Sequence, residues 1–171
     1  LTVNFVDPNP MNGPVSVFSD AAGLEAVRGS GEIQGLPPWS AVLMVSPDHF
    51  RVQYAINPHM TSGDGALHEV DAGTARRQWE ALRRAYEAIG YPVHVLPGSE
   101  GLPDMVFAAN QAFPFPDGEL GMGVALSRMR YPQRAPEVPL FEGWFSARGC
   151  RVDSIPEDGP CLEGCGDLLW V

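Results

Sequence analysis

Residues 74–96, TARRQWEALRRAYEAIGYPVHVL, have the pattern of an amphipathic helix that ends at a glycine and leads directly into a strand. Apolar side chains recur there at steps of three and four residues, which places them on one face of a helix. They are Trp79, Leu82, Tyr86 and Ile89. Gly90 stands where helices commonly end in a glycine. We therefore predict a helix over residues 74–89 and a strand over residues 91–96.

The same helix–glycine–strand order recurs downstream. Residues 139–148 predict a shorter helix, Gly149 ends it, and residues 150–156 predict a strand. Further strands are predicted over residues 41–45, 51–56, 105–109 and 121–126, with the turn cluster 114–118 joining the last two. The unit is therefore strand, strand, helix, strand, with a period of about 50–60 residues, and this self-similarity predicts an α/β repeat architecture.

Three polar residues recur at equal spacing within these repeats. From Asn57 to Asn110 is 53 residues, and from Asn110 to Glu163 is 53 again. Each follows or ends an apolar run, so similar units would each direct one hydrogen-bonding side chain towards a common place. The alternative is local: Asn57 and Asn110 simply close turns, as Asn-Pro in particular often does.

The segment 162–167, LEGCGD, places two carboxylates among glycines. Glycines permit backbone conformations that other residues resist and let a ligand approach closely. Glu163 and Asp167, four residues apart, have the spacing to converge on one cation. A glycine-rich turn with two solvated acids is the alternative.

The composition and net charge of the chain argue against some classes of binding partner. The chain has 171 residues, enough for one domain with a sizeable core, and a formal net charge of −10. Nucleic acids and anionic membranes favour basic surfaces, so neither is an expected partner. No apolar run approaches the roughly 18 residues of a membrane span, and the first residues lack a secretory pattern. Three cysteines do not form a disulfide framework, so we expect a cytoplasmic protein.

The chain divides into two parts that differ in their sequence pattern. Residues 1–40 are rich in turn clusters such as Asp7-Pro8-Asn9-Pro10 and predict an irregular N-terminal arm. Residues 41–171 carry the repeats and predict the folded domain. The sequence leaves open whether the arm wraps the domain, wraps a neighbouring subunit of a homo-oligomer, or is partly disordered.

Four strings of the second part resemble guanidino-group-modifying enzymes. They are VSPDHF at 45–50, YAINPHM at 54–60, PDMVFAAN at 103–110 and EGCGD at 163–167. That superfamily includes dimethylarginine dimethylaminohydrolases, arginine deiminases and amidinotransferases, and the Ile-Asn-Pro and Ala-Asn versions most resemble its arginine dihydrolase-like branch. The resemblance covers residues 41–171.

The resemblance implies an α/β-propeller of the pentein type, built from five ββαβ units, of which this chain would hold about three. It also implies that Asn57, Asn110, Glu163 and Asp167 line the pocket of an arginine-like substrate. Glu163 would hold the guanidinium, whose planar donors suit a bidentate carboxylate. Asn110 stands where many relatives carry an aspartate.

The implied reaction is hydrolysis of a guanidino group. A cysteine thiolate attacks the guanidinium carbon, a histidine moves protons, and water resolves the covalent intermediate, with no metal or organic cofactor. In the family, both residues lie beyond the Glu-Gly-x-Gly-Asp string, so we expect them beyond Val171. By position, Cys150, Cys161 and Cys165 do not replace the nucleophile, although a reactive thiol at Cys165, beside Glu163, is left open as an alternative. Cys150 is predicted to be a core residue, and Cys161 and Cys165 lack the partners of a zinc site.

Three functions remain open from the sequence. The first is the N-terminal, substrate-holding part of a guanidino-group hydrolase, inactive by itself. The second is a non-catalytic module that binds arginine or another guanidinium. The third is a ribosome-binding translation factor of the same architecture, against which the acidic charge and the Glu-Gly-x-Gly-Asp string argue.

Overall fold

The computed structural model describes residues 3–5, 15–17, 40–117, 121–156 and 158–169. The chain forms two compact units, Leu1–Pro37 and Pro38–Val171. In the first, strand β1 (Val3–Phe5) pairs antiparallel with strand β2 (Val15–Val17). The prediction of an irregular arm over residues 1–40 falls mostly on residues outside the described ones.

The second unit begins with what we call the first repeat. It consists of strand β3 (Val42–Val45), helix α1 (Ala72–Ala88) and strand β4 (Val93–Leu96), and the two strands pair in parallel with Val42 opposite Val93. The Asp71 side chain accepts a hydrogen bond from the Thr74 N–H at 2.6 Å and so caps the start of α1. Gly90, at φ +92°, lies just beyond its end. The predicted helix and both strands are confirmed.

The second repeat is a complete ββαβ unit. It contains strands β5 (Ala112–Asp117) and β6 (Gly121–Leu126), helix α2 (Val138–Ser146) and strand β7 (Arg151–Ser154). The strand order is β5-β6-β7, with β5 antiparallel and β7 parallel to the central β6. Gly149 follows α2 at φ +75°, as the helix–glycine–strand order predicted.

Three local predictions were wrong. Residues 51–56 form no strand, although their side chains alternate between exposed and half-buried as the sequence pattern suggested. Residues 105–109 fall instead in two short 3-10 helices, Pro103–Val106 and Ala108–Asn110, because a short apolar run buries equally well in a helical turn. The supposed turn 114–118 lies largely inside β5, whose place at the sheet edge tolerates its two prolines.

The core joins the two repeats. Its buried members are Val45, Met105, Ala112, Val124, Leu126, Phe141 and Phe145. Helix α2 contributes two of these side chains, whereas no residue of α1 is buried. Cys150 packs against the cluster, as predicted for a core cysteine.

The described part of the chain thus contains one ββαβ repeat and one βαβ repeat, an α/β arrangement as expected. The number of propeller blades stays a prediction. Across the described residues, neither helix combines the length and the apolar character that crossing a membrane requires.

Candidate functional site

The three equally spaced polar residues each stand at the boundary of a short 3-10 helix. Asn57 precedes Pro58–Met60, Asn110 ends Ala108–Asn110, and Glu163 precedes Gly164–Gly166. The 53-residue spacing therefore places all three residues at tight turns and not at strand ends, although Asn110 ends its 3-10 helix whereas Asn57 and Glu163 precede theirs.

Two of these turns pack directly on each other. Gly164 has φ +50°, and a Cβ added there would lie 2.8 Å from the Ala112 carbonyl oxygen and closer still to that of Ala109. A Cβ on Gly166 would lie 2.9 Å from Nδ2 of Asn110. The glycines thus permit the close approach that the sequence suggested, and they bring the Asn110 amide against the Glu-Gly-x-Gly-Asp string.

Beside this string lies a polar cleft of about 270 Å³. It is lined by Arg130, Tyr131, Cys161, Glu163 and Asp167. This volume is close to the lower end of small-molecule pockets, roughly 300–1,000 Å³. We refer to it as the acidic cleft.

Both carboxylates of the acidic cleft are held from one side only. Oε1 of Glu163 accepts the Arg130 backbone N–H at 3.2 Å, and Oδ2 of Asp167 accepts the Glu163 backbone N–H at 2.8 Å. Within the described residues, the second oxygen of each carboxylate has no hydrogen-bond donor. Two such oxygens on one cleft wall are suited to a cation that carries several N–H donors.

One arginine lines the acidic cleft, and a second contacts one of its lining residues. The exposed Arg130 side chain lines the cleft and forms no salt bridge with the carboxylates that the structure describes. The adjacent Arg128 donates from Nη1 to Sγ of Cys161 at 3.4 Å. A cleft with free carboxylate oxygens and an unpaired guanidinium is chemically matched to an amino acid whose side chain is cationic and whose α-carboxylate is anionic.

Sequence reasoning missed the arginines because they precede Glu163 by more than thirty residues. An isolated antiparallel bridge between Arg128 and Leu162 brings the two segments together. Arg128 N–H donates to the Leu162 carbonyl at 2.9 Å, and Leu162 N–H donates back at 3.0 Å. The sequence feature that could have revealed these arginines is their position just after the strand predicted at 121–126.

The two asparagines lie outside the acidic cleft. Asn57 is exposed, and its Oδ1 accepts the His59 N–H at 2.9 Å, the local turn that the sequence left open as an alternative. The preceding carbonyl of Ile56 accepts a hydrogen bond from the Tyr131 hydroxyl at 3.2 Å, so Asn57 lies next to the cleft wall. Asn110 lines a neighbouring apolar groove.

A nucleophile with its base is not assembled at the cleft. Partial burial raises the pKa of the Cys165 thiol, which disfavours the thiolate needed for attack. Cys161 lines the cleft, but none of the described histidines does. No group of three or more metal-ligating side chains gathers within the described residues either. Among the described residues, the cleft therefore offers two carboxylates and a guanidinium but no cysteine–histidine pair.

Behind the turn that carries Asn110 lies a buried ion pair that the sequence analysis did not identify. Arg134 Nη2 donates to Glu137 Oε2 at 3.0 Å and to the Asp104 carbonyl at 3.2 Å, while Gln111 Nε2 also donates to Glu137 Oε2. Arg134 is 4% exposed and Glu137 is fully buried. Together they fix both ends of residues 104–111, the segment that presents Asn110.

Burial raises the pKa of two groups in this buried network, Glu137 and Tyr54. Burial raises the pKa of Glu137, an effect that Arg134 and the Gln111 hydrogen bond oppose. The Tyr54 hydroxyl donates to Asp104 Oδ2 at 2.7 Å, and burial together with this carboxylate raises the pKa of Tyr54. Tyr54 therefore stays a donor at neutral pH and ties the irregular segment 51–56 to the turn.

The sequence of this chain is similar to those of several known proteins. No protein-family model matches the chain. The bifunctional arginine dihydrolase/ornithine cyclodeaminase ArgZ of Synechocystis sp. is 37% identical over 129 residues, which are 75% of this chain and 17% of that protein. An N(G),N(G)-dimethylarginine dimethylaminohydrolase of Mycobacterium tuberculosis is 37% identical over 129 residues, 75% of this chain and 38% of the relative. An uncharacterised protein of Caenorhabditis elegans is 39% identical over 154 residues, 90% of this chain and 49% of that protein.

Solved structures of the same group of enzymes also match the fold of this chain. The N-terminal domain of ArgZ, covalently bound to a reaction intermediate, matches with a TM-score of 0.66 at 34% identity over 75% of this chain and 43% of that chain. AgrE in complex with L-arginine matches with a TM-score of 0.65 at 34% identity over 75% of this chain and 18% of that chain. The homologues of this chain are therefore guanidino-group-modifying enzymes, which confirms the resemblance, and the chain spans less than half the length of each relative named.

Proposed function

From homology to guanidino-group-modifying enzymes over about three quarters of the chain, we propose that this protein is the substrate-holding part of a hydrolase that acts on the guanidino group of arginine or a methylated arginine. The observation that carries the proposal is the acidic cleft, where, among the described residues, Glu163 and Asp167 each present a carboxylate oxygen without a donor beside an Arg130 without an ion pair. Two of the relatives are an arginine dihydrolase/ornithine cyclodeaminase and a dimethylarginine dimethylaminohydrolase, and arginine and dimethylarginine match this pairing of charges.

In this proposal, each residue has a distinct role. Glu163 and Asp167 accept N–H bonds from the guanidinium, and Arg130 binds the α-carboxylate. Asn110, held against Gly166, and Asn57, beyond Tyr131, complete the arc of substrate contacts once substrate and the remaining parts of the enzyme are in place. In the described residues no cysteine–histidine pair lines the cleft, so this proposal assigns the nucleophile and the base to the part of the relatives' length that this chain does not span.

Exchange of the Glu163 carboxylate for an amide tests substrate binding. We expect Glu163→Gln to weaken arginine binding about 10- to 100-fold, because a hydrogen bond to a charged group contributes roughly 1.5–3 kcal/mol. Isothermal titration calorimetry with arginine measures this. Glu142→Gln, at an exposed position on α2, removes the same charge away from the cleft and should leave affinity unchanged. Equal affinity of Glu163→Gln and the unaltered chain would remove the basis of the proposal.

Turnover assays separate the hydrolase from a simple binding module. We expect the 171-residue chain to release no citrulline, ornithine or ammonia from arginine, while a form extended by about 100–130 residues hydrolyses a guanidino substrate. Product formation by the 171-residue chain would show that its own residues supply the nucleophile. Arginine binding without turnover in the extended form would identify a non-catalytic module instead.

A further inference from the structure

A second pocket lies at the opposite end of β6 from the acidic cleft. Gly121 and Met122, the first residues of β6, line this pocket, whereas Arg130, just beyond the end of the strand, lines the acidic cleft. The pocket has a volume of about 450 Å³, within the roughly 300–1,000 Å³ of small-molecule sites. We refer to it as the inter-repeat pocket, because strands of the first repeat and helix α2 of the second line it. Among the described residues, it shares no lining side chain with the acidic cleft.

Apolar and aromatic side chains form most of the inter-repeat pocket. Leu43 and His94 are partners in the β3–β4 ladder, and both line the pocket. From α2, the ring of Trp144 lies 5.8 Å from that of His94 and 5.0 Å from that of Phe145, in both cases edge to face. Met122, on the β6 side, is 42% exposed. Walls of this kind with a few convergent polar groups are typical of sites for small ligands.

Arg148 supplies the pocket with a cation whose position is restrained. Its Cζ lies 3.7 Å from the centroid of the Trp144 ring, and its Nη1 donates to the Trp144 carbonyl at 3.1 Å. Among the described residues, these are the only partners of the guanidinium. A guanidinium that lies on an aromatic ring keeps N–H donors along its edge, and such donors suit the two oxygens of a carboxylate. Arg148 therefore presents free donors in a defined orientation.

No acidic side chain is among the described residues that line the inter-repeat pocket. This is unexpected in a chain with 21 aspartates and glutamates against 11 basic residues. The exposed Arg76 and Arg151 each form a salt bridge with a carboxylate of the protein, but Arg148 does not. The pocket thus combines a cation that is not neutralised with apolar walls, the opposite charge to that of the acidic cleft.

We infer that the inter-repeat pocket binds a small organic acid, with its carboxylate on Arg148 and its apolar body against Leu43, Met122 and Phe145. A guanidino substrate does not fit this description, because its side chain is cationic. An inorganic anion does not fit it either, because it leaves the apolar walls without a partner. The inference does not rest on the proposed function, since the two sites have separate lining residues.

Four probes separate the contribution of the charge from that of the apolar body. Octanoate carries both, acetate only the carboxylate, octanol only the body, and octylammonium the body with the opposite charge. We expect calorimetry on the 171-residue chain to show saturable one-site binding of octanoate, and affinities about 10-fold weaker or less for the other three. Octanol or acetate that binds as tightly as octanoate would overturn the inference, as would the absence of saturable octanoate binding.

Arginine variants test the cation. Arg148→Gln should weaken octanoate binding about 10- to 100-fold, because a charged hydrogen-bond donor is lost. Arg84→Gln, at an exposed position on α1 outside the pocket, should leave the affinity unchanged. Arg148→Glu should reverse the preference, so that octylammonium binds more tightly than octanoate. This gain of binding cannot result from misfolding, and its absence together with unchanged octanoate affinity in Arg148→Gln would refute the role of Arg148.

A matched pair of apolar positions tests the walls. Met122 lines the pocket and Leu140 on α2 does not, although their exposed fractions are similar, 42% and 40%. We expect Met122→Gln to weaken octanoate binding about 3- to 10-fold, because less apolar surface is buried with the ligand. Leu140→Gln should have no effect. Equal effects of the two changes would contradict the placement of the apolar body.

NMR spectroscopy tests where octanoate binds. It should shift the indole N–H resonance of Trp144, identified by its loss in Trp144→Phe, and leave that of Trp79, in the apolar groove beside Asn110, unshifted. Saturating arginine should not displace it. A shift at Trp79 alone, displacement by arginine, or loss of binding in Arg130→Gln but not in Arg148→Gln would place the acid elsewhere and overturn the inference. Octanoate binding at Trp144 in a chain that does not bind arginine would support this site while refuting the proposed substrate.

Discussion

Replacing Arg134 with leucine is expected to lower the free energy of unfolding by about 3–5 kcal/mol at pH 7, because it leaves a buried carboxylate without its counter-ion. Glu137 is fully buried, and Arg134 supplies its charged partner as well as a hydrogen bond to the Asp104 carbonyl. Urea denaturation followed by circular dichroism measures the loss. A change of less than about 1 kcal/mol would show that the pair is not an essential part of the buried network.

This loss should depend on pH in a defined direction. Burial already raises the pKa of Glu137 above its ordinary 4.5, and Arg134 opposes that rise. Without Arg134, the folded-state pKa rises further. A carboxyl group whose pKa is raised by folding contributes stability below its unfolded pKa, and this contribution is lost as the pH rises through the folded-state value. The destabilisation by Arg134→Leu should therefore be smallest near pH 4.5 and increase towards pH 7.

The double variant Arg134→Leu/Glu137→Leu separates the charge from the rest of the network. Replacing both members of a buried ion pair by apolar side chains removes the uncompensated charge and is often close to neutral. We expect recovery of part of the loss, together with loss of the pH dependence. Full recovery is not expected, because the Asp104 carbonyl and Gln111 Nε2 each lose a partner. A double variant as unstable as Arg134→Leu alone would contradict the assignment to charge.

The sequence predicted the repeats well because their boundaries depend on local chemistry. The apolar face of α1, with Trp79 and Tyr86 at helical spacing, needs only residues within one segment, and so do the glycines at 90 and 149. The segment 105–109 was misassigned because its apolar side chains would be buried in either a strand or a helical turn. Tertiary packing decides between these, and packing involves residues such as Val45 that are remote in sequence.

In the candidate site, too, the residues that local sequence marks were predicted, and those that depend on tertiary contacts were missed. Glu163 and Asp167 were identified because glycines and acids stand together in one short string. Arg130 and Tyr131 were missed because only the bridge between Arg128 and Leu162 brings them to that string. The Arg134–Glu137 pair was missed for a different reason: two opposite charges three residues apart resemble a solvated surface pair until the surrounding fold excludes water.

Substituting alanine for Gly164 is expected to lower the free energy of unfolding by roughly 2–4 kcal/mol, the sum of left-handed backbone strain and overpacking. Gly164 has φ +50°, and its new methyl group would meet the carbonyl oxygens of Ala109 and Ala112. Backbone atoms cannot rotate away as a side chain can, so the two 3-10 turns would have to separate. Thermal unfolding followed by circular dichroism measures the cost.

Gly143→Ala provides the matched control, since Gly143 lies within α2 with no atom near its added methyl group. Alanine should stabilise that helix by about 0.5–1 kcal/mol. At temperatures where Gly164→Ala is still folded, separation of the turns should also move Asn110 away from Gly166 and weaken arginine binding. Gly164→Ala with unchanged stability would mean that the two turns tolerate separation. Lost stability with intact arginine affinity would mean that their contact supports the fold without shaping the acidic cleft.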